Sequence, residues 1–171
     1  EYALKIMLPL GISFYTFQAM GYLIDVFRNK YEATRHFGKF ALFVSYFPQI
    51  IQGPISRFSD LYPQFEEKKR FDFNRMVSGL QLILWGLFKK VVIADRAAVV
   101  VNEVYGNYSE YTGIIIFFGA LFYAIQIYGD FSGGIDIIKG VSEMFGIYLT
   151  DNFQRPYFAR SVSDFWKRWH I

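Results

Sequence analysis

Cysteine is missing from this sequence, which excludes disulfides, thiolate metal sites and a cysteine nucleophile. Histidine is scarce: His36 and His170 are the two present. They stand far apart, and neither belongs to an HExxH-type pair, so no metal site is predicted. His36, amid Thr34, Arg35 and Lys39, reads as a surface residue. Ser13, Ser56 and Ser132 have no histidine close in sequence, and a serine nucleophile finds no support. Excess charge is small, at a formal +3, and the basic and aromatic residues form no continuous groove, so nucleic acid is not a predicted partner. The first apolar stretch lacks the basic flank and cleavage site of a signal peptide, and the chain is expected to begin inside something longer.

Charge is missing altogether from long stretches. Residues 6–24 and 111–129 are uncharged runs of 19 residues each, and residues 40–56 are uncharged as well. About 20 helical residues cross a hydrocarbon core of roughly 30 Å. A fourth run, residues 76–88, is shorter; it suits a buried helix, or a spanning helix that continues past Lys89 and Lys90. A soluble domain of 171 residues has little room to bury such runs on all sides. The predicted fold is therefore all-α: a polytopic membrane helical bundle in the cell membrane, with lipid as its surroundings. Polar residues inside the runs (Gly11, Ser13, Thr16, Gln18, Gly21, Ser45, Gln49, Gln52 and Gln126) predict helices that pack on one another or line a cavity.

Basic residues cluster in residues 25–39, 57–75 and 139–168, whereas residues 102–110 carry only Glu103 and Glu110. The positive-inside bias places the three basic segments on the cytoplasmic side. Residues 40–56 must then dip in and return, and Pro48 and Pro54 suit such a broken or re-entrant segment.

Helices are predicted over residues 6–26, 75–104 and 113–128. Residues 57–74 read as an amphipathic interfacial segment or as a loop with a short helix. The glycines of YGDFSGGID, residues 128–136, predict a break, with Asp130 or Ser132 capping a next helix over residues 135–145. Residues 149–160 are predicted irregular, with Pro156 holding Arg155 extended. Ser161 or Ser163 caps a last helix through residues 164–170. The whole, residues 1–171, reads as one membrane domain that is incomplete at both ends.

The last residues, DFWKRWHI, are the most informative. On a helix, Trp166 and His170 share a face, as do Phe165 and Trp169, while Asp164 faces Arg168. Such an imidazole can accept a hydroxyl proton or hold a hydroxyl in place; it can equally belong to an interfacial aromatic belt. Asp130, directly after an uncharged run, is either a functional group at membrane depth or a helix cap. Gly129 and Gly133 have GxxxG spacing, which counts for little in a broken segment. Lys89 and Lys90 are candidate contacts for an anionic acyl donor, or interface anchors. Arg155, with Asn152 and Gln154, is a candidate contact for a polar acceptor, or part of a solvated loop.

Six stretches, in this order, resemble the membrane-bound O-acyltransferase family. They are PLGISFYTFQ at residues 9–18, YFPQIIQGPI at 46–55, GLFKKVVIAD at 86–95, IQIYGDFSGGIDIIKG at 125–140, MFGI at 144–147 and NFQRPYFARSVSDFWKRWHI at 152–171. The likeness is to the family's bacterial branch, which acts on alginate and teichoic acids. It implies a multi-helix membrane fold around a tunnel open to both sides. An acyl thioester, acetyl-CoA or an acyl-carrier protein, would enter from the cytoplasm, with no bound cofactor. A polysaccharide or teichoic-acid-type hydroxyl would enter from outside, through partner secretion proteins. The resemblance puts His170 in this passage. Relatives acting on sterols and diacylglycerol carry asparagine at the matching place, which implies a positioning or polarising role. Trp166, Trp169, Arg155, Lys89 and Lys90 are then candidate substrate contacts, and Asp130 a candidate catalytic group. A second active-site histidine is implied further along than Ile171, so the chain alone is expected to be inactive. The readings set against this one are a transporter or channel module and an inactive fragment.

Overall fold

The computed structural model describes residues 11–170. The start of the first predicted helix therefore lies outside the described residues; its remainder is α1, Ile12–Phe27. Two short helices follow, α2 (Phe37–Val44) and α3 (Phe47–Gln52), then α4 (Phe58–Glu66). The uncharged stretch is thus broken at Ser45 and Tyr46. Pro48 sits in the first turn of α3, where its missing N–H breaks no bond. His36 is exposed, and its Nδ1 caps α2 by accepting from the Lys39 amide at 3.3 Å. Residues 57–74 form a short helix packed into the protein through Phe58 and Leu61, followed by an exposed connection.

Two long rods dominate. The first comprises α5 (Phe73–Leu87), a π-helical segment (Phe88–Ala94) and α6 (Asp95–Gly106), continuous over 34 residues. The second is α7, Gly113–Met144, of 32 residues. At about 1.5 Å per residue both exceed a hydrocarbon core of roughly 30 Å. Both are apolar enough to span a membrane and leave large apolar side chains exposed, among them Leu84, Val99, Ile114 and Phe117. A last short helix, α8 (Val162–Trp166), completes the order, and among the described residues no strand forms.

The predicted break at residues 128–136 does not exist: α7 runs straight through it. Asp130 and Ser132 therefore cap nothing. The glycines serve helix contact instead. A Cβ on Gly133 would stand 2.8 Å from the Gly86 carbonyl oxygen, and one on Gly86 would stand 2.6 Å from the Gly133 carbonyl oxygen. Gly79 and Gly140 form the same reciprocal pair, and Gly129 abuts Ala94. Gly in a helix interior costs about 1 kcal/mol relative to Ala; backbone-to-backbone packing over two long rods outweighs it. Val104 meets Gly119 further along, so the rods are antiparallel over their length.

α1 to α4 pack around an aromatic core. Tyr22 and Phe58 rings lie 4.7 Å apart, Phe43 meets Phe58 edge-on at 5.1 Å, and Leu61, Ile147 and Leu149 close the cluster. Of the polar residues in the apolar runs, Gln18 and Gln49 satisfy each other, Thr16 and Ser45 bond carbonyls of their own helices, and Gln126 Oε1 is buried without a partner among the described residues. Buried Gln18 donates to Gln49 Oε1 at 3.0 Å, and Gln49 Nε2 donates to the Pro54 carbonyl at 2.9 Å. Lys39 pairs with Glu66 at 2.5 Å, which ties the start of α2 to the end of α4. Gln64 accepts from the Tyr148 amide at 2.7 Å and donates to its carbonyl at 3.0 Å. The connections around residues 34–39, 57–66 and 146–148 thus gather at the Met144 end of α7. The turn at Tyr108–Glu110 lies at the opposite end.

Candidate functional site

The chain reverses after α7. Gly146 adopts φ +78°, and the Ile147 amide donates to the Ser142 carbonyl at 2.9 Å, a left-handed helix end that glycine favours. From there the backbone returns along α7. Asp151 pairs with Lys139, and the Tyr157 hydroxyl donates to the Ala124 carbonyl at 2.6 Å. Lys139 and Ala124 are separated by about 22 Å of helix rise. An irregular segment therefore stands beside the middle of a membrane-length helix. Non-helical backbone at such depth is tolerated where it is buried in protein or lines a wet cavity.

Aromatic rings fasten this returning segment. Phe153 and Trp169 form an isolated antiparallel bridge, with ring centroids 5.1 Å apart and edge-on. Phe131 of α7 meets Phe153 at 5.2 Å, and Tyr128 meets Tyr157 at 5.4 Å. Phe165 stacks on Trp169 at 5.4 Å. His170 sits on this cluster, its ring 5.1 Å from Phe131. Its Nδ1 lies 3.0 Å from Nδ2 of Asn152, a residue only 2% exposed. The His170 backbone has φ +50°, a left-handed conformation uncommon outside glycine and shared here by Asn29 and Arg155.

The predicted terminal helix is shorter than expected. α8 ends at Trp166, and the reversal at φ +50° takes His170 out of helical register. Trp166 therefore packs on Phe165 at 5.3 Å and is 64% exposed, away from His170. The Phe165–Trp169 contact and the Asp164–Arg168 pair, at 2.8 Å, do form. Ser161 caps α8 by accepting from the Asp164 amide at 3.1 Å. The Arg168 guanidinium, with help from the Arg160 amide, holds the Asp164 carboxyl below the usual carboxylate range. Arg155 is exposed and left-handed at φ +48°, not extended as its proline neighbour predicts. The turn it makes places Pro156 in the interior and Tyr157 against α7.

A second constellation lies between the rods at the π-helical segment. Lys89 pairs with Asp136 at 2.7 Å and donates to Ser132 at 3.0 Å. Lys90 pairs with Asp130 at 2.7 Å and with Asp95 at 2.9 Å. Both lysines are thus engaged by α7 carboxylates. Among the described residues no three His, Asp or Glu side chains converge on a possible metal site.

The family model of the membrane-bound O-acyltransferases matches residues 28–171. This chain belongs to that family. It is 42% identical over 97% of its length to a probable alginate O-acetylase of Pseudomonas putida, of which it covers 34%. It is 36% identical over 98% of its length to a peptidoglycan O-acetyltransferase of Helicobacter pylori, covering 37% of that protein. It is also 26% identical over 95% of its length to a teichoic acid D-alanyltransferase of Bacillus subtilis, covering 42%. The chain spans roughly a third to two fifths of these relatives.

Within this membrane-bound O-acyltransferase segment, Trp169 and His170 come together, as do Lys90 and Asp130. Trp166 reaches the aromatic cluster only through Phe165, and among the described residues no ring contact or hydrogen bond joins Trp166 or Arg155 to His170. Sequence reasoning missed Asp136 and Ser132 as partners of Lys89, Phe131 as the platform for His170, and Asn152 as its hydrogen-bond partner. Opposite charges in two adjacent apolar segments were a usable signal for Lys89 and Asp136. Nothing in the sequence announces the Asn152 contact, which spans 18 positions across an irregular loop.

Proposed function

We propose that this chain forms the His170-bearing part of a multi-pass enzyme of the cell membrane. The enzyme transfers an acyl group, foremost acetyl, from a thioester donor to a hydroxyl of a cell-surface or exported polysaccharide. Acetyl-CoA or an acyl-carrier protein serves as the donor. The observation that carries this reading is the imidazole of His170, held at mid-height of α7 by a non-helical segment. A polar ring on irregular backbone at that depth suits a wet passage where two water-soluble groups meet. The likeness to proteins described as alginate and peptidoglycan O-acetylating enzymes supports the acetyl group and the polysaccharide class.

In this reading the acceptor oxygen attacks the thioester carbonyl carbon. A C–O bond forms, the C–S bond breaks, and the hydroxyl proton passes through a base to the leaving thiolate. The base is the second histidine that the family resemblance implies beyond Ile171. His170 polarises the thioester carbonyl or positions the acceptor. Trp169 builds the wall of the site, and exposed Trp166 and Arg155 are candidates for substrate contact. Lys89, Lys90 and Asp130, already ion-paired, belong to the scaffold.

The test is acetyl transfer by the full-length protein, purified in detergent, from labelled acetyl-CoA to polysaccharide. His170→Ala is expected to lower turnover by about 10²-fold or more. Turnover within twofold of the parent would remove His170 from the mechanism.

A further inference from the structure

The hydrogen bond between Asn152 and His170 has a direction, and the direction has chemical content. The Asn152 amide faces the ring with Nδ2, 3.0 Å from Nδ1. An amide NH₂ only donates, so Nδ1 must offer its lone pair. A neutral imidazole whose Nδ1 accepts carries its proton on Nε2. We propose that Asn152 is a positioning residue that fixes His170 as the Nε2–H tautomer, making the ring a hydrogen-bond donor toward the reacting carbonyl and not a proton acceptor.

Three observations support this assignment. Asn152 is 2% exposed, so water does not compete for its amide. Its Oδ1 is buried without a hydrogen-bond partner among the described residues. Turning the amide over would leave both N–H groups unmet among the described residues, where the present orientation leaves one N–H and the oxygen. An orphaned buried N–H is rarer than an under-satisfied oxygen, so the orientation with Nδ2 on the ring is the better one. Third, neighbours on both sides hold Asn152: Asp151 is tied to Lys139, and Phe153 is bridged to Trp169. His170 itself is exposed among the described residues, which leaves the rest of the ring accessible. A general base needs the opposite wiring, with Nδ1–H given to an acceptor and a lone pair on Nε2. His170 is wired to stabilise negative charge as it develops on the carbonyl oxygen.

This inference rests on the acyltransferase reading above, and the experiment separates the two. In the full-length protein, turnover is measured for Asn152→Asp, Asn152→Ala, His170→Gln and His170→Ala. Aspartate is isosteric with asparagine but only accepts, so it reverses the tautomer. The expected result is a kcat for Asn152→Asp reduced by about 10²-fold or more, below that of Asn152→Ala, with KM little changed. The ratio of Asn152→Asp to parent activity should rise as pH falls, because the imidazolium regains an Nε2–H. A packing role alone would not produce that slope. His170→Gln, which keeps an N–H donor near Nε2, should retain more activity than His170→Ala. The tautomer is read directly on ¹⁵N-histidine-labelled parent protein, with His170→Gln used to assign the signal. This needs no Asn152 variant to fold. A pyridine-like Nδ1 supports the proposal. A pyridine-like Nε2, or Asn152→Asp matching the parent while His170→Ala is inactive, overturns it and leaves the acyltransferase reading intact. His170→Ala at parental activity would sink that reading first.

Discussion

The two rods and the segment that returns along them are built on opposite principles. The rods are regular, and glycine lets their backbones touch: Gly79 with Gly140, and Gly86 with Gly133. The returning segment, from Ile147 to His170, is held by aromatic edges, one bridge and two left-handed non-glycine residues, Arg155 and His170. Burying the carbonyls of irregular backbone beside a membrane helix is unfavourable unless protein or water satisfies them. Regular helices avoid that cost entirely. The contrast teaches that the rods supply the frame, and in the proposed reading the returning segment carries the chemistry. Each region should then respond differently to substitution.

The largest expected effect lies in the rods. Lys89 and Asp136 have side chains only 11% and 20% exposed. Lys89→Ala leaves Asp136 without its cation, and breaking such a pair costs about 3–5 kcal/mol. The full-length protein in detergent should show a large loss of melting temperature or of folded yield. Adding Asp136→Leu to Lys89→Met should recover much of it, because a well-packed apolar pair replaces a buried ion pair at little cost. Lys90→Ala should do far less, since Lys90 and Asp130 are 43% and 49% exposed. Equal losses for Lys89→Ala and Lys90→Ala would break the distinction.

Next comes the glycine contact. Gly133→Leu forces a side chain against the Gly86 carbonyl oxygen, 2.8 Å from where its Cβ must go. Overpacking typically costs about 1–3 kcal/mol, read as a lower melting temperature. Gly21 in α1 provides the control, because a Cβ there meets nothing within 4 Å. Gly21→Ala should leave stability unchanged or slightly raised. A harmless Gly133→Leu would mean that the rods do not rely on backbone contact.

The two regions also differ in how far the sequence reveals them. The first part of α7 was legible from charge-free length, the first rod only as a helix over residues 75–104 whose uncharged run is too short to decide spanning, and the broken stretch of α2 and α3 from Pro48 and Pro54. The continuity of α7 was not. Gly129, Gly133 and Gly134 are poor helix formers in isolation, and the contacts that reverse this come from the π-helical segment, α5 and Gln52 of α3, all remote in sequence. The same tertiary override hid the returning segment. Four-residue spacing pairs Trp166 with His170 on an ideal helix, but α8 stops at Trp166 so that Trp169 can bridge Phe153. Of the candidate site residues, His170 and Trp169 lie in the aromatic cluster. Asp130, Lys89 and Lys90 lie in ion pairs between the rods, which opposite charges in two apolar segments signal without fixing the partners.

The smallest expected effect concerns the Asp164–Arg168 pair that closes α8, and it bears on whether the returning segment is held locally. Arg168 Nε donates to Asp164 Oδ1 at 2.8 Å, and the Arg160 amide donates to Oδ2 at 3.0 Å. Both favour the ionised carboxylate and depress its pKa in the folded protein. A group depressed on folding stabilises in full above its unfolded value, and that contribution disappears as pH falls through the folded value. Asp164→Asn should therefore melt slightly below the parent at neutral pH. The gap should narrow only in acid, below the ordinary aspartate range. The shift is small because both side chains are about a third exposed and water screens the pair. Hydrogen exchange should find the loosening confined to α8 and its flanks, with the rods unchanged. A gap that widened in acid would mean that the fold does not favour the Asp164 carboxylate, and loosening that spread into α7 would mean the returning segment and the rods are one cooperative unit, against the division drawn from their construction.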